Sequence, residues 1–126
     1  MKISTQFDAG SIDVVSAERY DDIQLRLRPD NAAGFAQWFH FRLQGVAYQP
    51  CVLRILNACD AAYPEGWDDY QACASYDRSN WFRVPTRYEN GELVIEHTPL
   101  SNSVYYAYFE PYSHERHLDL IGEAQG

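Results

Sequence analysis

The stretch of this 126-residue chain closest to a catalytic pattern is His114-Glu115-Arg116-His117. On a helix, His114 and His117 fall one turn apart on the same face, where two neutral imidazoles can share a metal. A zinc site asks in addition for a third ligand and for groups that orient the first two. The flanking residues supply neither, so the favoured reading is a charged helical turn or hinge. His40 alternates with Trp38 and Arg42, which places a neutral, hydrogen-bonded imidazole on a half-buried strand face. His97, between Glu96 and Thr98-Pro99, closes a strand. Asp21-Asp22, Glu65 and Asp68-Asp69 are the acids nearest to hydrolytic pairs. They sit in turn-like segments of an acidic chain, and no apolar surroundings raise their pKa.

Cysteine chemistry is equally thin. Cys51 lies in an apolar run and Cys73 among small residues, as core thiols do. Cys59, in Asn57-Ala58-Cys59-Asp60, is the most accessible of the three, but no histidine is near in sequence to activate it. Trp67, Tyr70, Tyr76, Trp81 and Tyr88 form either a sugar-binding platform or core, and core is the commoner use of aromatics at this density. The chain has no glycine-rich phosphate loop, GxSxG elbow or HExxH helix, and none of its histidines opens a His-x-x-Glu.

The composition describes the scaffold that must hold these groups. Hydrophobic residues make up 46% and charged residues 22%, enough for one globular domain with one core. Ten Tyr and three Trp favour strands. A net charge of −8 argues against nucleic acid and anionic membrane as partners, since both call for a basic face. The odd cysteine count, without CxxC, and the lack of an apolar leader after Met1 point to a reducing cytoplasm.

Alternation predicts strands over Lys2–Phe7, Ile12–Ala17 and Asp22–Arg28, the last with Ile23, Leu25 and Leu27 inward and a wet opposite face. A long aromatic strand is expected over Phe35–Leu43, and a central one over Cys51–Leu56, apolar on both parities apart from Arg54. A loop then runs from Asn57 to Asp69, followed by a weak strand over Gln71–Asp77 and a short one near Trp81–Val84. Asn90-Gly91 marks a two-residue hairpin pairing Tyr88 with Leu93 and Thr86 with Ile95. Val104–Phe109 is an aromatic strand, apolar on both faces, that stops at Pro111. About nine short strands and no helix before Ser113 predict an all-β, antiparallel β-sandwich over residues 1–112. Ser113 as a cap, with Leu118, Ile121 and Ala124 at helical spacing, predicts a short helical connector over 113–126.

Several segments in order are familiar: Phe7-Asp8-Ala9-Gly10-Ser11-Ile12, Gln37-Trp38-Phe39-His40-Phe41-Arg42-Leu43, Tyr63-Pro64-Glu65-Gly66-Trp67, Ala74-Ser75-Tyr76-Asp77-Arg78, Asn80-Trp81-Phe82-Arg83-Val84-Pro85-Thr86, His97-Thr98-Pro99, and Val104 through His117. Together they resemble the N-terminal domain of the cytosolic zinc carboxypeptidases, a subfamily that includes tubulin deglutamylases and bacterial relatives. The resemblance implies a β-sandwich that precedes a peptidase domain and supports its folding and substrate access. It implies a parent enzyme that removes C-terminal amino acids, glutamate among them, with zinc held by the peptidase domain. No catalytic or metal residue carries over to this chain, because the family's ligands and catalytic glutamate have no counterpart within residues 1–126.

The expected contact with the peptidase domain of the same polypeptide involves Tyr105, Tyr106, Pro111, Tyr112, Glu115, Arg116 and His117. The same face offers a route to a dimer. Two other readings compete. A free-standing carbohydrate-binding β-sandwich requires an exposed aromatic row. A small hydrolase requires His114, His117 and acids to converge in a pocket.

Overall fold

The computed structural model describes residues 1–5, 11–30, 34–35, 38–60 and 64–108. Its strands are β1 (Lys2–Ser4), β2 (Asp13–Ser16), β3 (Ile23–Arg26), β4 (Pro29–Asp30), β5 (Gly34–Phe35), β6 (His40–Gln44), β7 (Cys51–Ile55), β8 (Cys73–Ser75), β9 (Phe82–Arg83), β10 (Thr86–Glu89), β11 (Glu92–His97) and β12 (Ser103–Ala107). Two 3₁₀ helices, Ala58–Asp60 and Pro64–Trp67, lie in the stretch expected to be loop. The first sheet runs β1-β6-β12-β8-β9 and the second β10-β11-β7-β3-β2, with β4 and β5 paired separately. This is the expected sandwich. The connector over 113–126 lies outside the described residues.

Period-2 alternation builds the core directly. Ile23, Leu25, Leu53, Ile55, Leu93 and Ile95 of the second sheet meet Phe39, Phe41, Leu43, Val104 and Tyr106 of the first, all fully buried. Each such side chain contributes about 1.5–3 kcal/mol by leaving water. β7 is the middle strand of the second sheet and β12 the middle strand of the first. Central position gives each a hydrogen-bonded neighbour on both edges.

Two expectations need correction. The sandwich is not wholly antiparallel: β3 and β7 run parallel, pairing Ile23 with Leu53 and Leu25 with Ile55. The chain between them crosses to the first sheet as β6 and returns, and such a crossover permits parallel pairing. The Asn57 side chain then extends this ladder. Its Oδ1 accepts from the Leu27 N–H at 2.7 Å, and its Nδ2 donates to the Leu27 carbonyl at 3.1 Å. The long strand expected over Phe35–Leu43 begins only at His40, where its partners Ser11 and Ala107 begin.

The hairpin forms in the expected register, Thr86 with Ile95 and Tyr88 with Leu93. Asn90 and Gly91 have φ of 54° and 79°, the two left-handed residues of a type I′ turn. A Cβ at Gly91 would lie 3.2 Å from the Cys59 Sγ. Gly91→Ala is therefore expected to cost about 1–2 kcal/mol, from backbone strain and contact with Cys59 together. Urea unfolding checks this, and Asn90→Gly serves as a near-neutral control.

Candidate functional site

The most elaborated surface is the outer face of the first sheet. Strand register turns Ser4, Arg42, Ser103, Tyr105 and Ser75 outward, with His40, Ala107 and Cys73 beside them. Arg42 donates from Nε to the Ser103 Oγ at 2.7 Å and lays its guanidinium 5.6 Å from the Tyr105 ring centre. Arg78 approaches the same ring at 5.5 Å. Tyr105 thus has an arginine stacked from each of two elements, each contact worth about 0.5–2 kcal/mol.

Arg78 is displayed by the turn that follows β8, where its φ is 65°. The Asp77 carboxylate accepts from the backbone N–H groups of Asn80 and Ser79 at 2.8 and 2.9 Å, and Ser75 Oγ accepts from the Arg78 N–H at 2.8 Å. The amides of Asn80 and then Ser79 hold Asp77 well below the usual carboxylate range. An acid bonded to backbone donors in this way is a structural clasp, not a proton donor.

His40 lies beneath this face, and it is fully buried rather than half-buried. Trp81, Trp38 and Tyr105 surround it at 5.9, 6.1 and 6.2 Å between ring centres. Burial, and then the nearby Arg78 charge, push its pKa down to about 4. The unfolded chain then binds this proton more readily than the folded one below pH 6.5, so stability falls as pH drops from 6.5 toward 4. From pH 7 to pH 5 the loss from His40 is roughly 2 kcal/mol. Chemical denaturation across that range, with His40→Phe flattening the dependence, checks it.

The outer face of the second sheet is built differently. Asp13 pairs with Arg28, Asp22 and Glu92 flank Arg54, and Glu89 and Glu96 flank Arg87. Acids and bases alternate there and neutralise one another, as on a solvated surface.

Of the expected contact residues, Tyr105 lies on the outer face of the first sheet, half-buried. Tyr106 does not share it. It points into the core, fully buried, and its hydroxyl shares a hydrogen bond of 2.7 Å with His97 Nδ1. Adjacent strand residues must face opposite sides, so the pair cannot both line one surface. Pro111, Tyr112, His114, Glu115, Arg116 and His117 lie outside the described residues.

The other candidates separate rather than converge. The second ring nitrogen of His97 lies 3.4 Å from the Tyr76 hydroxyl, which also accepts from the Leu100 N–H at 3.0 Å. His97 thus joins the two sheets, and burial lowers its pKa. It lines an open groove of about 520 Å³ with Cys51, whose thiol burial pushes up to about 11. A thiol so disposed stays protonated and is a poor nucleophile. Cys73 is also buried, and Cys59 is exposed, with its Sγ 3.8 Å from Asp60 Oδ1. Asp21 is held by Arg19 at the surface, and Asp68 and Asp69 are exposed.

The aromatic platform also dissolves. Trp67 is buried and meets Tyr70 and Tyr108 edge to face, Tyr76 packs on Phe82, Tyr88 lies against the core, and Trp81 is half-buried against His40. Among the described residues no three His, Cys, Asp or Glu come together as a metal site.

Arg42 and Arg78 were not singled out by sequence reading. Arg42 carried a signal in its parity with His40, and Arg78 in its place within the Asp77-x-x-Asn80 turn.

Fold and surface together define a class: a two-sheet β-sandwich whose distinctive feature, among the described residues, is an arginine–tyrosine sheet face. The sequence pattern of the cytosolic carboxypeptidase N-terminal domain matches residues 3–109, and the chain belongs to that family. The whole chain is 46% identical to an uncharacterized protein of Zymomonas mobilis, of which it covers 33%. Among solved structures, it is similar to a metallo-carboxypeptidase from Burkholderia cenocepacia, at 53% identity and a TM-score of 0.86, covering 98% of this chain and 32% of that one. A metallo-carboxypeptidase from Pseudomonas aeruginosa, in complex with (2-guanidinoethylmercapto)succinic acid, matches at 42% identity and the same TM-score, covering 100% and 34%. The chain spans about a third of the length of these relatives.

Proposed function

We propose that this domain is the non-catalytic N-terminal sandwich of a zinc metallocarboxypeptidase, and that it supports the folding of the peptidase domain and shapes access to its cleft. The observation that carries the reading is the family match over residues 3–109, in a chain one third the length of metallo-carboxypeptidases of the same fold. The parent enzyme, in this proposal, releases C-terminal amino acids from proteins or peptides, glutamate among them, in the cytoplasm. Among the described residues no helix is long and apolar enough to cross a membrane.

Zinc fits the peptidase domain, not this one. The described histidines are held in aromatic or tyrosine surroundings, and no third donor approaches either. Isothermal titration is expected to show no tight stoichiometric zinc binding to residues 1–126. The full polypeptide is expected to carry zinc and to release C-terminal residues from peptides in a chelator-sensitive way. Tight zinc uptake by the sandwich, or a full polypeptide that takes up no zinc and releases no C-terminal residues when zinc is supplied, overturns the proposal.

A further inference from the structure

β11 of the second sheet ends at His97, and residues 98–102 carry the chain across to β12 of the first sheet. His97 braces that crossover. Its Nδ1 lies 2.7 Å from the Tyr106 hydroxyl on β12, and its Nε2 lies 3.4 Å from the hydroxyl of Tyr76, just after β8. Tyr76 in turn accepts from the Leu100 N–H at 3.0 Å, so one ring holds both the opposite sheet and the crossover itself. Tyr106, Phe82 and Tyr76 pack around the imidazole at 5.7, 5.8 and 6.3 Å between ring centres. His97 also lines the open groove with Pro50, Val52, Pro85 and Thr98, which gives the ring a path to water.

A neutral imidazole donates at one nitrogen and accepts at the other, which suits one tyrosine that accepts and one that donates. An imidazolium donates at both nitrogens and accepts at neither. Protonation therefore removes the acceptor of whichever hydroxyl donated into the ring. Among the described residues, the other titratable groups facing His97 are Tyr76, Tyr106, Cys51 opposite it on β7, and Glu96, which Arg87 of β10 engages. Burial pushes the Tyr106 hydroxyl and the Cys51 thiol up, away from the range in which an imidazole titrates. From this arrangement we infer that His97 is a proton-operated latch on the β11–β12 crossover: neutral, it ties Leu100 through Tyr76 to both sheets, and protonated, it gives up Tyr76 for solvent in the groove and frees the crossover. The Tyr76 bond is the longer of the two and is the one that yields. Burial lowers the His97 pKa from 6.5, so the latch is closed at neutral pH and opens only as pH falls below 6.5.

The test uses the full polypeptide, in hydrogen–deuterium exchange read by mass spectrometry from pH 7.5 to pH 4.5. Exchange of the His97 Cε1 hydrogen gives the midpoint of the ring. Peptides covering 98–102 give the protection of the crossover, corrected for the intrinsic pH dependence of amide exchange. That protection is expected to fall about two- to tenfold, the equivalent of one hydrogen bond, with the midpoint of His97. His97→Gln keeps one donor and one acceptor but takes up no proton. In this variant the fall over 98–102 is expected to vanish, while any fall in β7, which follows global stability, persists. Equal falls over 98–102 in the two proteins overturn the inference, as does a His97 ring that stays neutral through the whole range. Where His97→Gln fails to fold, the unaltered protein decides: a fall over 98–102 whose midpoint differs from that of His97, or no fall as His97 titrates, overturns the latch.

Discussion

Trp67→Ala is expected to destabilise the domain by about 3–5 kcal/mol, the range for deleting a buried large aromatic side chain. Trp67 ends a 3₁₀ helix and is 1% exposed. Its ring meets Tyr70 and Tyr108 edge to face at 5.3 and 5.4 Å, and those two rings lie 5.0 Å apart. The indole Nε1 donates to the Ala58 carbonyl at 2.8 Å, and the Tyr70 hydroxyl donates to the Tyr108 carbonyl at 2.6 Å. The three rings thus fasten Ala58 and the Pro64–Tyr70 stretch to the end of β12. Truncation opens a cavity that rigid neighbours cannot fill. Trp67→Phe keeps most of the volume but strands the Ala58 carbonyl, and is expected to cost about 1–3 kcal/mol. Urea denaturation of both variants gives the comparison, and near-equal values would assign the effect to the hydrogen bond rather than to packing.

Asn57→Ala is expected to cost about 2–4 kcal/mol, because it leaves two buried backbone groups without partners. Asn57 is 2% exposed, and its amide is bonded to both the N–H and the carbonyl of Leu27. Leu27 is itself fully buried just beyond β3, where the β7 backbone no longer reaches it. Asn57→Asp separates the two bonds. The carboxylate still accepts from the Leu27 N–H but faces the Leu27 carbonyl without a proton to donate. Its cost is expected to exceed that of alanine near neutral pH and to shrink as acid protonates the new side chain. A pH series of denaturation midpoints for both variants tests the sign. If Asn57→Asp grows less stable relative to Asn57→Ala as pH falls, the account of the second bond fails.

Much of the scaffold was legible in the chain. The inward set Ile23, Leu25 and Leu27 followed from alternation alone, and the hairpin register followed from Asn90-Gly91, since only a type I′ turn suits those two residues. Cys51–Leu56, apolar on both parities apart from Arg54, read as a central strand, and β7 is the middle strand of its sheet. What was misread involved contacts far apart in sequence. The parallel pairing of β3 with β7 depends on the path taken by β6, and Asn57 looked like an ordinary loop residue because its partner is Leu27, on another strand.

The candidate surface shows the same division. The aromatic strand around Tyr105 and Tyr106 identified itself by composition, and the ordered segments from Phe7 to His117 carried the family resemblance. Period 2 also settles that Tyr105 and Tyr106 face opposite ways, but not which of them faces the core. Tertiary structure decided that. It brought Arg42 from β6 and Arg78 from a turn onto one tyrosine ring, and it gathered the paired acids and arginines of the second sheet on another face. Local sequence determines periodicity because side-chain direction is set residue by residue along the backbone. Which charges become neighbours is set by strand order and register across the sheets, and those emerge only when the core closes.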